Sequence, residues 1–328
     1  MYEASVYNYE NGTIKDVVDA MWLQNYNTIA NCNILLERLA NKDELYFAAG
    51  HYNLLKGEAL GIRAYLHYVL LRAFAVNYSK DPDGMAIPYA ESFTKKVHPQ
   101  LKASVVVEKI LADLNAAREA LKSVDPVFDD TFRDQNMNYH YAQPYKNDIF
   151  MSYRAYRMNY YAVTGLMARV YRYIGDKENA YKYAKEIIDV ADDGAFWFAS
   201  ESDVSAPLKE RDVVMQTELL FALNCSDIQD IFYSIDATNS KNLALLDSKE
   251  IYANENDFRW KLVGESPISG KTVSYKFAKI DSNKGGKIPM IRLSEMYMIA
   301  AESYYATNVT DAAAFLGKVR QMRGISQE

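Results

Sequence analysis

Residues 160–188, YYAVTGLMARVYRYIGDKENAYKYAKEII, constrain this chain more than any other stretch, because they carry the spacing of two helices folded back on each other. Met167 and Ala168 precede Tyr171, Gly175-Asp176 interrupts the helix, and Ala180 restarts one. Small residues where helices touch, an aromatic in the groove and a glycine at the turn are what an antiparallel helix pair requires. A second copy follows in residues 297–320, YMIAAESYYATNVTDAAAFLGKVR. There Ala300 and Ala301 precede Tyr304, and Ala313 stands as far beyond Tyr304 as Ala180 stands beyond Tyr171. One such hairpin cannot bury its apolar face alone, so hairpins stack into a curved scaffold whose usual work is recognition.

The two stretches therefore predict a mostly α fold of tetratricopeptide-like hairpins. A length of 328 residues allows a large core. The net charge of -6 argues against a nucleic-acid partner, which needs a basic face. No window approaches the ~18 uninterrupted apolar residues of a membrane span. The opening MYEASVYNYENG has neither the basic nor the apolar region of a signal peptide. Tyrosine is the compositional outlier, with 27 Tyr against 3 Trp, and its flat apolar ring with a polar tip suits both groove filling and wet contact surfaces.

Apolar positions Val18, Met21, Trp22, Ile29, Leu36 and Leu39 predict a helix over 14–40. Leu55, Ala59, Ile62, Leu66, Val69 and Ala73 predict a long helical tract over 46–76. Gly57 and Gly61 inside it are read as points of close helix packing. A turn-rich link, KDPDGMAIPYA, leads to an amphipathic helix over 104–121 with Ser104 as N-cap. Residues 125–147 form an aromatic-rich loop longer than ordinary connections. The hairpins occupy 153–190 and 291–323. Between them, residues 192–287 lack helical periodicity over most of their length and hold β-prone pieces at 218–223 and 273–280. The expected organisation is a single domain over 1–328, with scaffold at 14–190 and 288–328 and a loop-rich insertion at 191–287.

Catalytic signatures fail one by one. The four His, at 51, 67, 98 and 140, have no metal-ligand spacing, so neither metal nor cofactor is expected. Nucleophile-elbow, dinucleotide and P-loop patterns are absent from the sequence. Asp129-Asp130 reads as solvated loop charge. Glu58, Arg63 and Glu302, charges on otherwise apolar helices, read as internal ion pairs, since buried charges persist when paired. Cys32 reads as a buried thiol, and with Cys225 it forms no disulfide framework. No catalysis is expected.

Several segments together resemble the SusD/RagB family of Bacteroidetes nutrient-uptake lipoproteins. Tyr26, Ile29, Cys32 and Asn33 resemble its early "Y..I..aN.ll" helix. Glu58-Ala59 with Ile62-Arg63-Ala64 and Tyr65 is similar to its "EA..LRA..y..L" helix, and Ala86-Ile87-Pro88 to its "giP" link. SVVVEKILADLNAAREAL resembles its "t...V...I..DL..A...L" helix, and MARVYRYIGDKENAYKYA its second-repeat hairpin. IPMIRLSEMYMIAAESYY with KVRQMRG resembles its "iRlaEvyLi.AEa … vR.RaG" segment, preceded by a "D.R" at Asp257-Phe258-Arg259.

The resemblance implies non-catalytic glycan binding at the cell surface, on a protein held to the outer membrane by a lipidated N-terminal cysteine. It also implies delivery of substrate to a partner SusC-like TonB-dependent transporter. The family's lipobox and first segment are not in this sequence, so the anchor rests on the resemblance alone. The sequence ends after VRQMRGISQE, where relatives continue, which leaves a trimmed or a shortened family member as the two expectations. A second functional class stays open, a tetratricopeptide-type scaffold that grips a protein or peptide without binding carbohydrate. The irregular insertion favours the glycan reading, because a plain repeat adaptor has no need of it.

Sugars present apolar C–H faces and hydroxyl rims, so a site needs flat aromatics flanked by hydrogen-bonding side chains. Three loop stretches qualify: Asn138-Tyr139-His140-Tyr141, Phe196-Trp197-Phe198 and Asp257-Phe258-Arg259-Trp260. The expected contacts are Tyr139, Tyr141, Trp197 and Trp260, with Asn138 and Arg259 supplying hydrogen bonds. The competing reading makes Trp197 and Trp260 pins that fasten the loops to the scaffold.

Overall fold

A computed structural model describes residues 3, 6–129, 148–207, 209–228, 230, 250, 252, 254–265, 272–275 and 286–325. The fold is mostly α, with three short antiparallel strand pairs among the described residues. The chain divides into two compact units, residues 1–125 with 158–179 and residues 126–157 with 180–328.

The first unit is built on α1 (Gly12–Ala40), α2 (His51–Phe74), α3 (Ala103–Lys122) and α4 (Tyr160–Ile174). Asn11 caps α1 by accepting from the Thr13 amide. Helix α2 packs against α1, α3 and α4, which is why its buried residues are not confined to one stripe. Gly57 and Gly61 make this possible. A Cβ on Gly57 would sit 2.5 Å from Leu121 Cγ, and one on Gly61 would sit 2.7 Å from Met158 Cγ. The long tract begins at His51 rather than Tyr46, because residues 44–46 form a separate 3-10 turn capped by Asp43.

Strand β1 (Met85–Pro88) pairs with β2 (Gln100–Lys102) just before α3. Ser104 is not the N-cap of α3. Lys102 holds that position without a side-chain bond. The amides of Ala103 and Ser104 instead donate to the carbonyls of Gly84 and Pro82, at 3.0 and 2.8 Å. Backbone from the preceding turn satisfies the free helix donors, so no capping side chain is required.

A polar network crosses this unit's core. The Arg63 guanidinium on α2 grips Asp113 on α3 through Nε to Oδ2 at 2.7 Å and Nη2 to Oδ1 at 2.6 Å. Its Nη1 donates to Asn33 Oδ1 at 2.8 Å. Tyr89 donates its hydroxyl to Asp113 Oδ2 at 2.6 Å and stacks on His67 with ring centroids 3.8 Å apart. Tyr26 donates to the carbonyl of Pro88 at the end of β1, and Asn33 to that of Ala90 just after it. The internal ion pair expected at Arg63 is present. Cys32 lies beside this network, and burial pushes its thiol up to about 11.

Helix α4 is capped by Asn159, which accepts from the Ala162 amide, and ends at Gly175 in the left-handed region at φ 83°. The amides of Gly175 and Asp176 close on Arg172 and Tyr171, and α5 (Lys177–Asp192) begins two residues later. The glycine break expected at this turn is therefore present.

The second unit holds α5 from Ala180 onward, α6 (Glu201–Ser205), α7 (Leu293–Tyr304) and α8 (Val309–Gln321). Helices α7 and α8 pack as a hairpin, and Tyr181, Tyr304 and Phe315 cluster, with Tyr181 and Tyr304 centroids 4.4 Å apart. One detail of the repeat spacing is corrected. Ala313, the counterpart of Ala180 in the spacing, is exposed, and the buried small residues of α8 are Ala312 and Gly317. Asn308 caps α8 by accepting from Asp311, and that start turns Ala312 and Val319, two turns apart, inward together.

Strand β3 (Leu219–Asn224) pairs antiparallel with β6 (Lys287–Arg292), so the β-prone piece at 218–223 does form a strand. Glu218, fully buried, receives both Nη atoms of Arg323, at 2.5 and 2.6 Å. Strands β4 (Val263–Glu265) and β5 (Thr272–Ser274) form a short hairpin, and β5 takes up the start of the second β-prone piece.

Candidate functional site

Residues 257–265 carry Trp260, the more exposed of two exposed tryptophans among the described residues. Asp257 caps the turn Phe258–Leu262 by accepting from the Arg259 amide at 3.0 Å. Phe258 and Leu262 are buried in a cluster with Ala199, Val204, Val213, Val214 and Met215. Trp260 lies midway between these two anchors and therefore falls on the opposite side of the turn, 49% exposed. Three further ties hold the turn. Lys261 Nζ reaches Glu201 and Ser205 Oγ on α6, Arg211 Nη1 donates to the Lys261 carbonyl at 3.0 Å, and the Phe258 amide donates to the Arg323 carbonyl at 3.1 Å.

The side chain of Arg259 is engaged from within the turn. Its Nε reaches Asp257 Oδ1 at 2.9 Å, its Nη2 reaches Oδ2 at 2.6 Å, and its guanidinium lies 5.9 Å from the Tyr252 ring centre. Asp257 is almost fully buried, so this fork is held by a carboxylate with little access to water. The Asp257 hydrogen bond is the leading influence on the Arg259 guanidinium and raises its pKa.

Beside this turn opens a cleft of about 660 Å3, lined by Tyr252, Glu255, Trp260 and Val263, and by Gly264, Glu265 and Thr272 of the hairpin. Glu265 and Thr272 are register partners across β4 and β5, so both reach the cleft from one rung. Gly264 is required on steric grounds, because a Cβ there would lie 1.8 Å from the Tyr275 hydroxyl. The Tyr275 ring in turn packs on the core cluster and under the Arg211 guanidinium at 5.8 Å. The cleft combines two aromatic rings, two exposed carboxylates and a hydroxyl on a turn anchored from below. That composition suits a polyhydroxylated ligand with an apolar face.

Of the residues expected from sequence, Trp260 lines the cleft, whereas Arg259 is not among its lining and is bonded to Asp257. Trp197 does not line it. Its indole is 39% exposed elsewhere in the second unit, and its amide donates to the Thr217 carbonyl at 3.4 Å. Its neighbours Phe196 and Phe198 face the protein: Phe196 is buried, and Phe198 packs against Tyr297 with Arg323 above its ring. Asn138, Tyr139 and Tyr141 lie outside the described residues. Sequence reasoning passed over Tyr252, Glu255, Glu265 and Thr272. The run YANEND ahead of Phe258 carried the same mixture of aromatic and hydrogen-bonding residues used to select the other stretches. Glu265 and Thr272 carried no such signal, since only strand pairing brings them to the rim.

The architecture belongs to the class of helical-hairpin scaffolds carrying an irregular, loop-rich part. Its fold is that of the SusD superfamily, and residues 1–128 match a SusD-like family model described as starch-binding associating with outer membrane. A SusD superfamily protein from Bacteroides thetaiotaomicron VPI-5482 is similar at TM-score 0.70 and 22% identity, covering 92% of this chain and 66% of that one. A SusD-like carbohydrate binding protein from Bacteroides vulgatus ATCC 8482 aligns at TM-score 0.69 and 20% identity, covering 94% of this chain and 62% of that one. Surface glycan-binding protein A from Bacteroides fluxus aligns at TM-score 0.65 and 17% identity, covering 94% of this chain and 68% of that one. The chain spans a little under two thirds of the first two structures. No curated protein matches the sequence. Among the described residues no helix is long and apolar enough to cross a membrane.

Proposed function

We propose that this chain is a non-catalytic glycan-binding protein whose sugar site is the cleft beside Trp260. The observation that carries the reading is a half-exposed indole at the edge of a 660 Å3 cleft, on a turn whose other two large apolar residues are buried. An indole that pinned loops to a core would be buried as Phe258 and Leu262 are. Trp260 instead offers a face on which a pyranose ring can stack, while Tyr252 gives a second wall and Glu255, Glu265 and Thr272 accept from or donate to hydroxyls. The loop-rich stretch 191–287 is on this reading the binding part, and the hairpins are its support. Trp197, which does not line the cleft, and Asn138, Tyr139 and Tyr141, which lie outside the described residues, stand on this reading as separate contacts.

The family match over residues 1–128 and the names of the structural neighbours support glycan binding over peptide capture. The family description also supports a place at the outer membrane; on this reading a lipid anchor holds the protein at the surface and its glycan passes to a SusC-like TonB-dependent transporter. Affinity electrophoresis through gels carrying different polysaccharides tests the site. Wild-type protein is expected to be retarded by at least one polysaccharide, and Trp260→Ala to weaken that binding by ~1–3 kcal/mol, the scale of stacking on an aromatic platform. Its melting temperature should stay nearly unchanged. Retardation that survives Trp260→Ala would move the site elsewhere, and capture of peptides without retardation by any polysaccharide would support the adaptor class.

A further inference from the structure

We infer that the Trp260 cleft selects uncharged glycans and rejects those bearing carboxylate or sulfate groups, an inference that rests on the cleft being the sugar site. Its described lining carries two carboxylates, Glu255 and Glu265, and no cation. Both carboxylates are exposed side chains, and neither has an ion-pair partner among the described residues, so both present uncompensated negative charge to a ligand.

Neither cation flanking Trp260 in sequence is among the described lining of the cleft. Arg259 spends its Nε and Nη2 on both oxygens of buried Asp257 and lays its guanidinium toward the Tyr252 ring. Arginine's planar fork is the group that ordinarily recognises a uronate or sulfate bidentately, and here that fork faces an internal carboxylate. Lys261, the next residue after Trp260, is turned away to Glu201 and Ser205. The two cations flanking Trp260 in sequence are thus each paired with an acid of the protein itself. What remains at the rim accepts hydrogen bonds from sugar hydroxyls and repels anions. Specificity of this kind comes from an element that penalises the wrong ligand as much as from contacts that favour the right one.

Two unit charges about 5 Å apart in a water-like dielectric repel enough to weaken binding a few-fold, so two carboxylates together give roughly tenfold discrimination. The effect should shrink as salt shortens the screening length.

A glycan array holding neutral oligosaccharides beside their uronate-containing and sulfated counterparts tests this with wild type, Trp260→Ala and the double variant Glu255→Gln, Glu265→Gln. Every signal lost in Trp260→Ala should be an uncharged glycan, with its anionic counterpart roughly tenfold weaker. The double Gln variant should weaken the neutral signals wherever a carboxylate accepts from a hydroxyl, yet bring each anionic counterpart to within about twofold of its neutral partner. Trp260-dependent signals on anionic glycans equal to the neutral ones, or a ratio unmoved by the double variant, would overturn the charge selection while leaving the sugar site in place. Signals that Trp260→Ala leaves intact, or no signal at all, would overturn the site and the inference with it.

Discussion

Arg63 and Asp113, fifty residues apart in sequence, meet as a two-point ion pair inside the helical core, with both side chains about nine-tenths buried. The pair joins α2 to α3, and the guanidinium's Nη1 donates to Asn33 on α1 and to the Glu91 carbonyl. Removing one partner of a buried pair leaves the other charged and unpaired. Asp113→Ala should therefore destabilise the protein by ~3–5 kcal/mol, whereas Arg63→Met with Asp113→Leu should recover much of that loss. Chemical denaturation of the two variants decides it, and a double variant no more stable than Asp113→Ala would refute the account.

The tautomer of His67 follows from its neighbours. Nδ1 lies 2.9 Å from the Arg63 carbonyl, which can only accept, and Nε2 accepts from the Ala90 amide at 3.1 Å. A neutral ring satisfies both bonds, and burial lowers its pKa from 6.5 to about 3. The sign follows directly. Between pH 6.5 and about 3 the unfolded chain binds a proton that the folded chain refuses. Stability from this group is thus complete above pH 6.5 and is lost progressively as the pH falls, with a limiting slope of about 1.4 kcal/mol per pH unit. Melting curves from pH 7 to 4 should show a shallower fall for His67→Gln than for wild type.

Gly57 tests the helix contact. A Cβ there would lie 2.5 Å from Leu121 Cγ and 3.1 Å from the Ala117 carbonyl. Helix propensity favours Gly57→Ala by up to ~1 kcal/mol, while overpacking costs ~1–3 kcal/mol. A net loss is expected in wild type. In a Leu121→Ala background the obstruction is gone, and Gly57→Ala should become neutral or stabilising. Additive effects in this double-mutant cycle would count against direct contact.

Gly324 links the C-terminal motif to the cleft. It sits at φ 85°, and a Cβ would meet the Asn256 carbonyl at 2.3 Å, on the residue before the Asp257 cap. Gly324→Ala should cost at least the ~1–2 kcal/mol of a left-handed non-glycine residue. Because the obstruction bears on the turn carrying Trp260, glycan retardation should weaken as well. A variant with reduced melting temperature and undiminished retardation would separate the two roles.

Local pattern determined much of this protein. Helical periodicity marked α1 to α3 to within a few residues, except where a separate 3-10 turn shortened the start of α2. Gly175 marked the break between α4 and α5, because only a residue tolerant of φ 83° ends a helix that way. The mixture of Trp260 with hydrogen-bonding neighbours marked one stretch of the candidate site. Short motifs at Tyr26, Asn33, Arg63, Ala86–Pro88 and Asp113 were legible as separate fragments, with nothing in their spacing to say that they form one hydrogen-bonded network. That union depends on three helices and a strand converging, which is long-range information. The same holds for Ser104, whose capping role passed to carbonyls of a preceding turn, and for Ala312, whose burial was set by where Asn308 starts α8. It holds most for the cleft. Tyr252, Glu255, Glu265 and Thr272 become neighbours of Trp260 only through the β4–β5 register and the anchoring of Phe258 and Leu262, and Arg259 turns to Asp257 because the turn places that carboxylate within its reach. A side chain's type is written in the sequence, but which partner claims it is decided by what the fold brings within hydrogen-bonding distance.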